Sequence, residues 1–296
     1  MRRTLTLVAA IGLVLSGCAI GAPGIANTPI RIVVAENTWG SIVAELAQPF
    51  GSVTSIIHNP AADPHDYEPT PNDARAVAEA RYVVLNGLGY DTWAQRLLDA
   101  NPNSHRVVLN IGARLGLAHD ANPHVWYSPA AVGSFVAFVA ADLARLDPAH
   151  RDQYDGNAKR FVTRSLGEYR GLVAAIAKRD AGAPVGGSES LVEPIAAALH
   201  LRVMTPASFL RAVAEGGEPT ASDKATVDAQ IAGHEIRVLV YNTQNETPDV
   251  QRIVGEAQRA NIPTVSFTET PTPARATFEA WQVAQLRALQ QALEQP

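Results

Sequence analysis

Eight short runs of β-branched and aliphatic residues, each followed by a stretch with helical spacing, constrain this chain more than any other feature. They fall at residues 30–35, 53–57, 82–86 and 106–109, then at 184–186, 202–204, 238–241 and 264–267. Apolar residues in the intervening stretches recur at three- and four-residue intervals, as in Trp39, Ile42 and Leu46, or Val227 and Ile231. Strands that alternate with helices pair in parallel, because a parallel pair needs a long crossover and a helix supplies it. The pattern predicts an α/β fold of two lobes, each a mainly parallel sheet with flanking helices. No internal sequence repeat accompanies it.

The two sets of strands are separated by a long helical segment. Residues 129–146 already carry helical spacing, and Asp147-Pro148 reads as a helix start, with Asp as N-cap and Pro at the first position. No further Pro occurs before Pro184, and the glycines up to residue 179 are Gly156, Gly167 and Gly171. Roughly 30 residues at 1.5 Å rise would span about 45 Å, the length of both lobes. The expected division is an N-terminal lobe at 29–147, a linking helix at 148–180 and a C-terminal lobe at 181–296. One helix joining the lobes is expected to restrain hinge motion.

Composition excludes several classes. Hydrophobic residues make up 47% of the 296 positions and charged residues 18%, which excludes a disordered chain. The net charge of −5 excludes a broadly basic nucleic-acid surface. A single cysteine excludes an internal disulfide and any site built from several thiolates.

That cysteine lies near the N-terminus. Arg2 and Arg3 precede an uncharged apolar run, and Leu15-Ser16-Gly17-Cys18 follows it. A basic start, a short apolar run and small residues before a cleavage point make a secretory signal. The ending resembles the bacterial lipobox, in which Cys18 is lipidated and becomes the mature N-terminus. Residues 1–17 are therefore expected to be a lipoprotein signal peptide, and residues 18–28, rich in Gly, Ala and Pro, a lipidated tether. No later segment is expected to be long and apolar enough to cross a bilayer, so the mature chain should be a soluble body tethered outside the cytoplasm.

Among eight histidines, His150, His200, His105, His234 and His119 sit in surface-like settings, and His58 ends a strand. His65 and His124 share a distinctive one. They lie in Asp63-Pro64-His65-Asp66-Tyr67-Glu68-Pro69 and in Asn122-Pro123-His124-Val125-Trp126-Tyr127-Ser128-Pro129. Each follows a Pro, which stiffens the chain just before the imidazole, and each lies on a loop leading from strand to helix. Loops at the carboxyl ends of parallel strands are where α/β sheets bind ligands. Residue chemistry alone leaves open whether these two histidines meet.

Both histidine runs resemble the motifs of the metal-binding lipoproteins of zinc and manganese ABC importers. Asn86-Gly87-Leu88-Gly89-Tyr90-Asp91 and the segment 261–270 agree, and the resemblance extends over about residues 30–293. It implies that four side chains from both lobes enclose one divalent ion. The first two map onto His65 and His124. The third maps onto Glu189 in Gly187-Ser188-Glu189-Ser190, with Glu193 as its rival. The fourth maps onto Glu269, where many relatives have Asp. Asn122 stands where relatives often have Asp, and the long His-rich stretch of many zinc importers is missing here, leaving His119 and Asp120 in that loop.

The resemblance implies a lipid-anchored, extracytoplasmic monomer that binds Zn²⁺ or Mn²⁺ as transported ligand in the inter-lobe cleft and delivers it to an ABC permease. It implies neither catalysis nor a nucleic-acid partner. Two other classes stay open. A metal-dependent hydrolase could use two histidines and a carboxylate, although the chain has no H-E-x-x-H, no G-x-S-x-G and no phosphate-binding Gly loop. A surface adhesin is the other.

Overall fold

The computed structural model describes residues 28–59 and 67–295. The signal peptide, Cys18, nearly all of the tether and His65 lie outside the described residues. The eight expected strands all form. The first sheet contains β1 (Ile30–Glu36), β2 (Gly51–Ile57), β3 (Tyr82–Leu85) and β4 (Val107–Asn110). The second contains β5 (Pro184–Gly187), β6 (Arg202–Val203), β7 (Val238–Asn242) and β8 (Thr264–Phe267). Every pairing is parallel, and the strand orders are β2-β1-β3-β4 and β6-β5-β7-β8. One topology is thus used twice, by two sequences that share no recognisable repeat.

The order has a functional consequence. In each sheet the chain moves outward in one direction and then returns to the other side of its first strand. The crevice at that reversal lies between β1 and β3 in the first sheet and between β5 and β7 in the second, which is where such sheets bind ligands. The residues leaving the carboxyl ends there are Glu36, Asn86, Ser188-Glu189 and Asn242.

Strand alternation divides β1 between two cores. Ile32 and Val34 face a core with Trp39, Tyr82 and Phe135, whereas Val33 and Ala35 face one with Val77, Val83, Trp93 and Leu98. Both faces of a parallel sheet are buried this way because its crossover helices cover them. The first core does not stop at the lobe boundary. It runs through Trp126, Tyr127 and Trp281 to Val240, Val265 and Phe267 of the second sheet. The two sheets therefore share one continuous apolar body.

Helix Pro129–Leu146 lies in that body. It has 18 residues and a mean hydropathy of 1.4, long and apolar enough to cross a membrane by length and composition. This corrects the expectation that no such segment follows the N-terminus. Its apolarity has a structural use: Val132, Phe135, Val136, Val139 and Leu143 are buried in the shared core.

The linking segment is helical from Pro148 to Arg179, but it is not one regular helix. A 3-10 turn at Pro148–His150 leads into α-helix Arg151–Arg160, a π turn at Phe161–Ser165 and α-helix Gly167–Arg179. The buried residues explain the π turn. Tyr154 and Phe161 are seven apart, as are Tyr169 and Ile176, but Phe161 and Tyr169 are eight apart. In a regular α-helix that extra residue would rotate the second pair about 80° off the buried face. A π turn absorbs one residue. The Leu166 amide donates to the Phe161 carbonyl across it, and both side chains stay buried.

The start differs too. Asp147 makes no cap bond to the backbone. Its carboxylate instead lies 2.6 Å from His150 Nδ1 and accepts from the Tyr154 hydroxyl at 2.8 Å. Asn157, 3% exposed, donates through Nδ2 to the Leu46 and Gln48 carbonyls, fixing the linking segment to the first lobe. Replacing Asn157 with Ala leaves those carbonyls without this donor, and urea unfolding should show a loss of about 1–3 kcal/mol.

Candidate metal centre

Three of the four expected ligands converge. Donor atoms of His124, Glu189 and Glu269 all lie within 4.8 Å of one another, and the three side chains are 0%, 0% and 1% exposed. His124 Nε2 is 3.9 Å from Glu189 Oε1 and 3.6 Å from Glu269 Oε2. They reach this point from different elements. His124 follows Pro123 and precedes the 3-10 turn Val125–Tyr127, Glu189 leaves β5, and Glu269 lies two residues beyond β8.

The orientation of His124 follows from its neighbour. Asn122 donates through Nδ2 to the Ser190 carbonyl at 2.7 Å and to Glu193 at 2.8 Å, which fixes its amide. Its Oδ1 is then an acceptor, and it takes the backbone amide of His124 at 3.0 Å. His124 Nδ1 is 2.9 Å from the same oxygen, so Nδ1 carries the hydrogen. A ring so held turns Nε2 toward the two glutamates. Asn122 thus does for His124 what an Asp would do, without a second negative charge beside Glu193. Glu193, the rival to Glu189, is engaged here with Asn122 and is not part of the convergent group.

Sequence reasoning missed the residues that hold the two glutamates. Asn242 Nδ2 donates to Glu189 Oε1 at 2.8 Å and to Glu269 Oε1 at 2.7 Å. One amide therefore spans both carboxylates. Asn245 donates to Glu189 Oε2 at 2.9 Å, and the Tyr90 hydroxyl donates to Glu269 Oε2 at 2.6 Å. Two signals were available. Asn242 ends a strand at the reversal of the second sheet, and Tyr90 lies in the Asn86–Asp91 run that carries part of the family likeness. Trp126 stands 5.2 Å from the rings of both Tyr90 and His124, making an apolar wall.

The first sheet contributes two further buried acids at its own reversal. Asp91 accepts the amides of Asn86 at 2.6 Å and Gly87 at 2.8 Å, and burial raises its pKa to about 6 against those two bonds. Glu36 is 2% exposed, and neither of its carboxyl oxygens has a hydrogen-bond partner among the described residues. Burial first, then Asp91 and to a lesser degree Glu269, push Glu36 well above the ordinary carboxylate range. Outside the group, a cavity of about 330 Å³ runs between the lobes, lined by Tyr90, Asn122, Ser190 and Glu193 among others.

The other described histidines are not part of this group. His150 stacks on Phe50 at 3.5 Å between centroids, His58 Nδ1 meets the Ser55 and Ile56 carbonyls, and His200 and His234 occupy left-handed backbone positions (φ 56° and 51°).

Comparison with known proteins agrees with this architecture. A family described as zinc-uptake complex component A, periplasmic, matches residues 32–292, and the chain belongs to that family. The manganese-binding lipoprotein MntA of Halalkalibacterium halodurans is 29% identical over 161 residues, 53% of each chain. The iron-binding protein YfeA of Yersinia pestis is 27% identical over 134 residues, 42% of this chain and 43% of that one. The chain spans about half the length of the curated relatives it matches. A mutant, Mn-bound periplasmic metal binding protein from Candidatus Liberibacter asiaticus superposes with a TM-score of 0.75 at 17% identity. That match covers 88% of this chain and 98% of the other, and it shows the shared fold.

Glu36 gives the site a measurable pH signature in the metal-free protein. An acid whose pKa is raised on folding contributes stability below its unfolded pKa and loses it as pH rises through the folded value. Glu36→Gln removes that loss. Parallel urea titrations between pH 5 and pH 8 should show the variant gaining on the unmutated protein as pH rises. A constant difference would mean that folding does not raise the Glu36 pKa.

Proposed function

We propose that this chain binds one divalent transition-metal ion, Zn²⁺ or Mn²⁺, between its lobes and delivers it to an ABC permease. The observation that carries the reading is the convergence of His124, Glu189 and Glu269, from distant parts of the chain, within 4.8 Å at zero to 1% exposure. His65 is proposed as the fourth ligand. Two imidazoles and two carboxylates would bring two negative charges to a dication, so the loaded site would be near neutral, as a buried ion requires. Names of relatives that bind manganese or iron, and the zinc-uptake description of the family, support an ion of this class.

The donor set accepts either ion. Zn²⁺ takes imidazole and carboxylate alike and binds more tightly by its place in the series, whereas the oxygen-rich set and the missing His-rich stretch suit Mn²⁺. Tyr90, Asn242 and Asn245 would hold the carboxylates in place, a role on which affinity commonly depends. The remaining parts of the reading are a cleaved signal at residues 1–17, lipid on Cys18 as the membrane anchor, lobes at 29–147 and 181–296, and a monomer without catalytic turnover.

Calorimetric titration of the protein without residues 1–17 should give one site per chain, with Zn²⁺ and Mn²⁺ in competition. His65→Ala, His124→Ala and Glu269→Gln should each weaken binding by about 100-fold or more. Metal competes with protons for imidazole, so affinity should fall below about pH 6. Full affinity in His124→Ala, or affinity unchanged between about pH 7.5 and 5.5, would overturn the reading.

A further inference from the structure

We propose that the solvent face of the linking segment binds the anionic headgroups of a phospholipid membrane, laying the protein along the surface to which it is tethered. Residues 151–179 contain seven basic and three acidic residues, whereas the rest of this acidic chain contains seventeen basic and twenty-six acidic ones. From residue 156 to residue 178 the charged side chains are Lys159, Arg160, Arg164, Arg170 and Lys178, with Glu168 as the lone acid. All five cations are exposed, and among the described residues none of them is in an ion pair. Glu168 is bonded to Arg287 of the C-terminal helix, so its charge is compensated from outside the segment. Asp152 lies in the first turn, where an acid suits the helix dipole, and Asp155 follows in the second.

Position points to a membrane as the occupant. Residues before Thr28 connect the body to Cys18, so the anchor enters beside β1. The Ile30 amide donates to the Phe50 carbonyl, and the Phe50 ring stacks on His150 at the start of the linking segment. The segment that carries the basic residues therefore begins where the tether arrives. Ten residues of tether extend at most about 35 Å, so a lipid on Cys18 would keep this face within reach of headgroups. Each basic residue near an anionic surface adds attraction that salt screens, and five of them exposed along one helical segment act together. The acidic remainder of the surface would be repelled, which selects this face over others.

The proposal uses the tether only for reach, and its test uses neither lipid on Cys18 nor metal, so it fails independently of the metal-binding reading. Metal-free protein beginning at residue 19 is floated with vesicles of phosphatidylglycerol or of phosphatidylcholine at low ionic strength. Binding to phosphatidylglycerol alone, lost on raising the salt from about 50 to about 500 mM, is the expected result. A variant with Gln at positions 159, 160, 164, 170 and 178 should partition at least about 10-fold less. A control with Gln in place of Arg75, Arg81, Arg96, Arg202 and Arg259 has the same net charge and should bind like the unmutated protein. Equal binding to both vesicles, salt-insensitive binding, or equal losses in the two variants would overturn the proposal. Should the first variant not fold, Lys178→Glu and the salt titration of the unmutated protein decide it by the same criteria.

Discussion

Two glutamates that repel each other are held beside one imidazole in a space closed to water, and much of the molecule serves to keep them there. Nothing in the local chain would place Glu189 next to Glu269. The Asn242 amide does so by donating to both, and the Asn245 and Tyr90 donors fix the outer oxygens. Because Tyr90 belongs to the first lobe and Glu269 to the second, their bond both shapes the site and joins the lobes. The Thr38 hydroxyl adds to this by donating to the Glu269 carbonyl at 2.7 Å, and the Tyr127 hydroxyl donates to the Thr268 carbonyl at 2.6 Å. Charged groups buried this closely are costly unless an opposite charge joins them, which gives a dication its hold on the site.

The lobes are joined along a continuous apolar core and by a linking segment that stays helical from end to end. A shape of this kind resists wide hinge opening, because separating the lobes would expose Trp126, Tyr127 and Trp281 together. Differences between loaded and empty protein are then expected to be small and local, at the loops that leave the strands. A permease can still read such a difference, provided its contacts distinguish the two arrangements.

Much of the fold could be read from the residues, because period-two and period-3.6 patterns alternate cleanly and parallel strands need long crossovers. The π turn at Phe161–Ser165 was not read, since a single extra residue between two seven-residue spacings has no local signature in composition. Helix Pro129–Leu146 was not recognised as membrane-like for the opposite reason: its apolar residues fit the shared core so well that they read as an ordinary amphipathic pattern. His124, Glu189 and Glu269 came from family likeness, since residues so far apart in the chain carry no spacing that would join them. Glu36 and Asn242 escaped because a strand's last residue looks like any other until the order of the strands is known.

The central claim is that distant side chains share one cation. It is tested most directly by X-ray absorption at the K edge of the metal in Zn²⁺-loaded protein. The account predicts a shell of nitrogen and oxygen only, at about 2.0–2.2 Å, with outer scattering from two imidazole rings. It predicts that one ring's contribution vanishes in His124→Ala. A shell containing sulfur, or imidazole scattering that survives the loss of His124 undiminished, would contradict it.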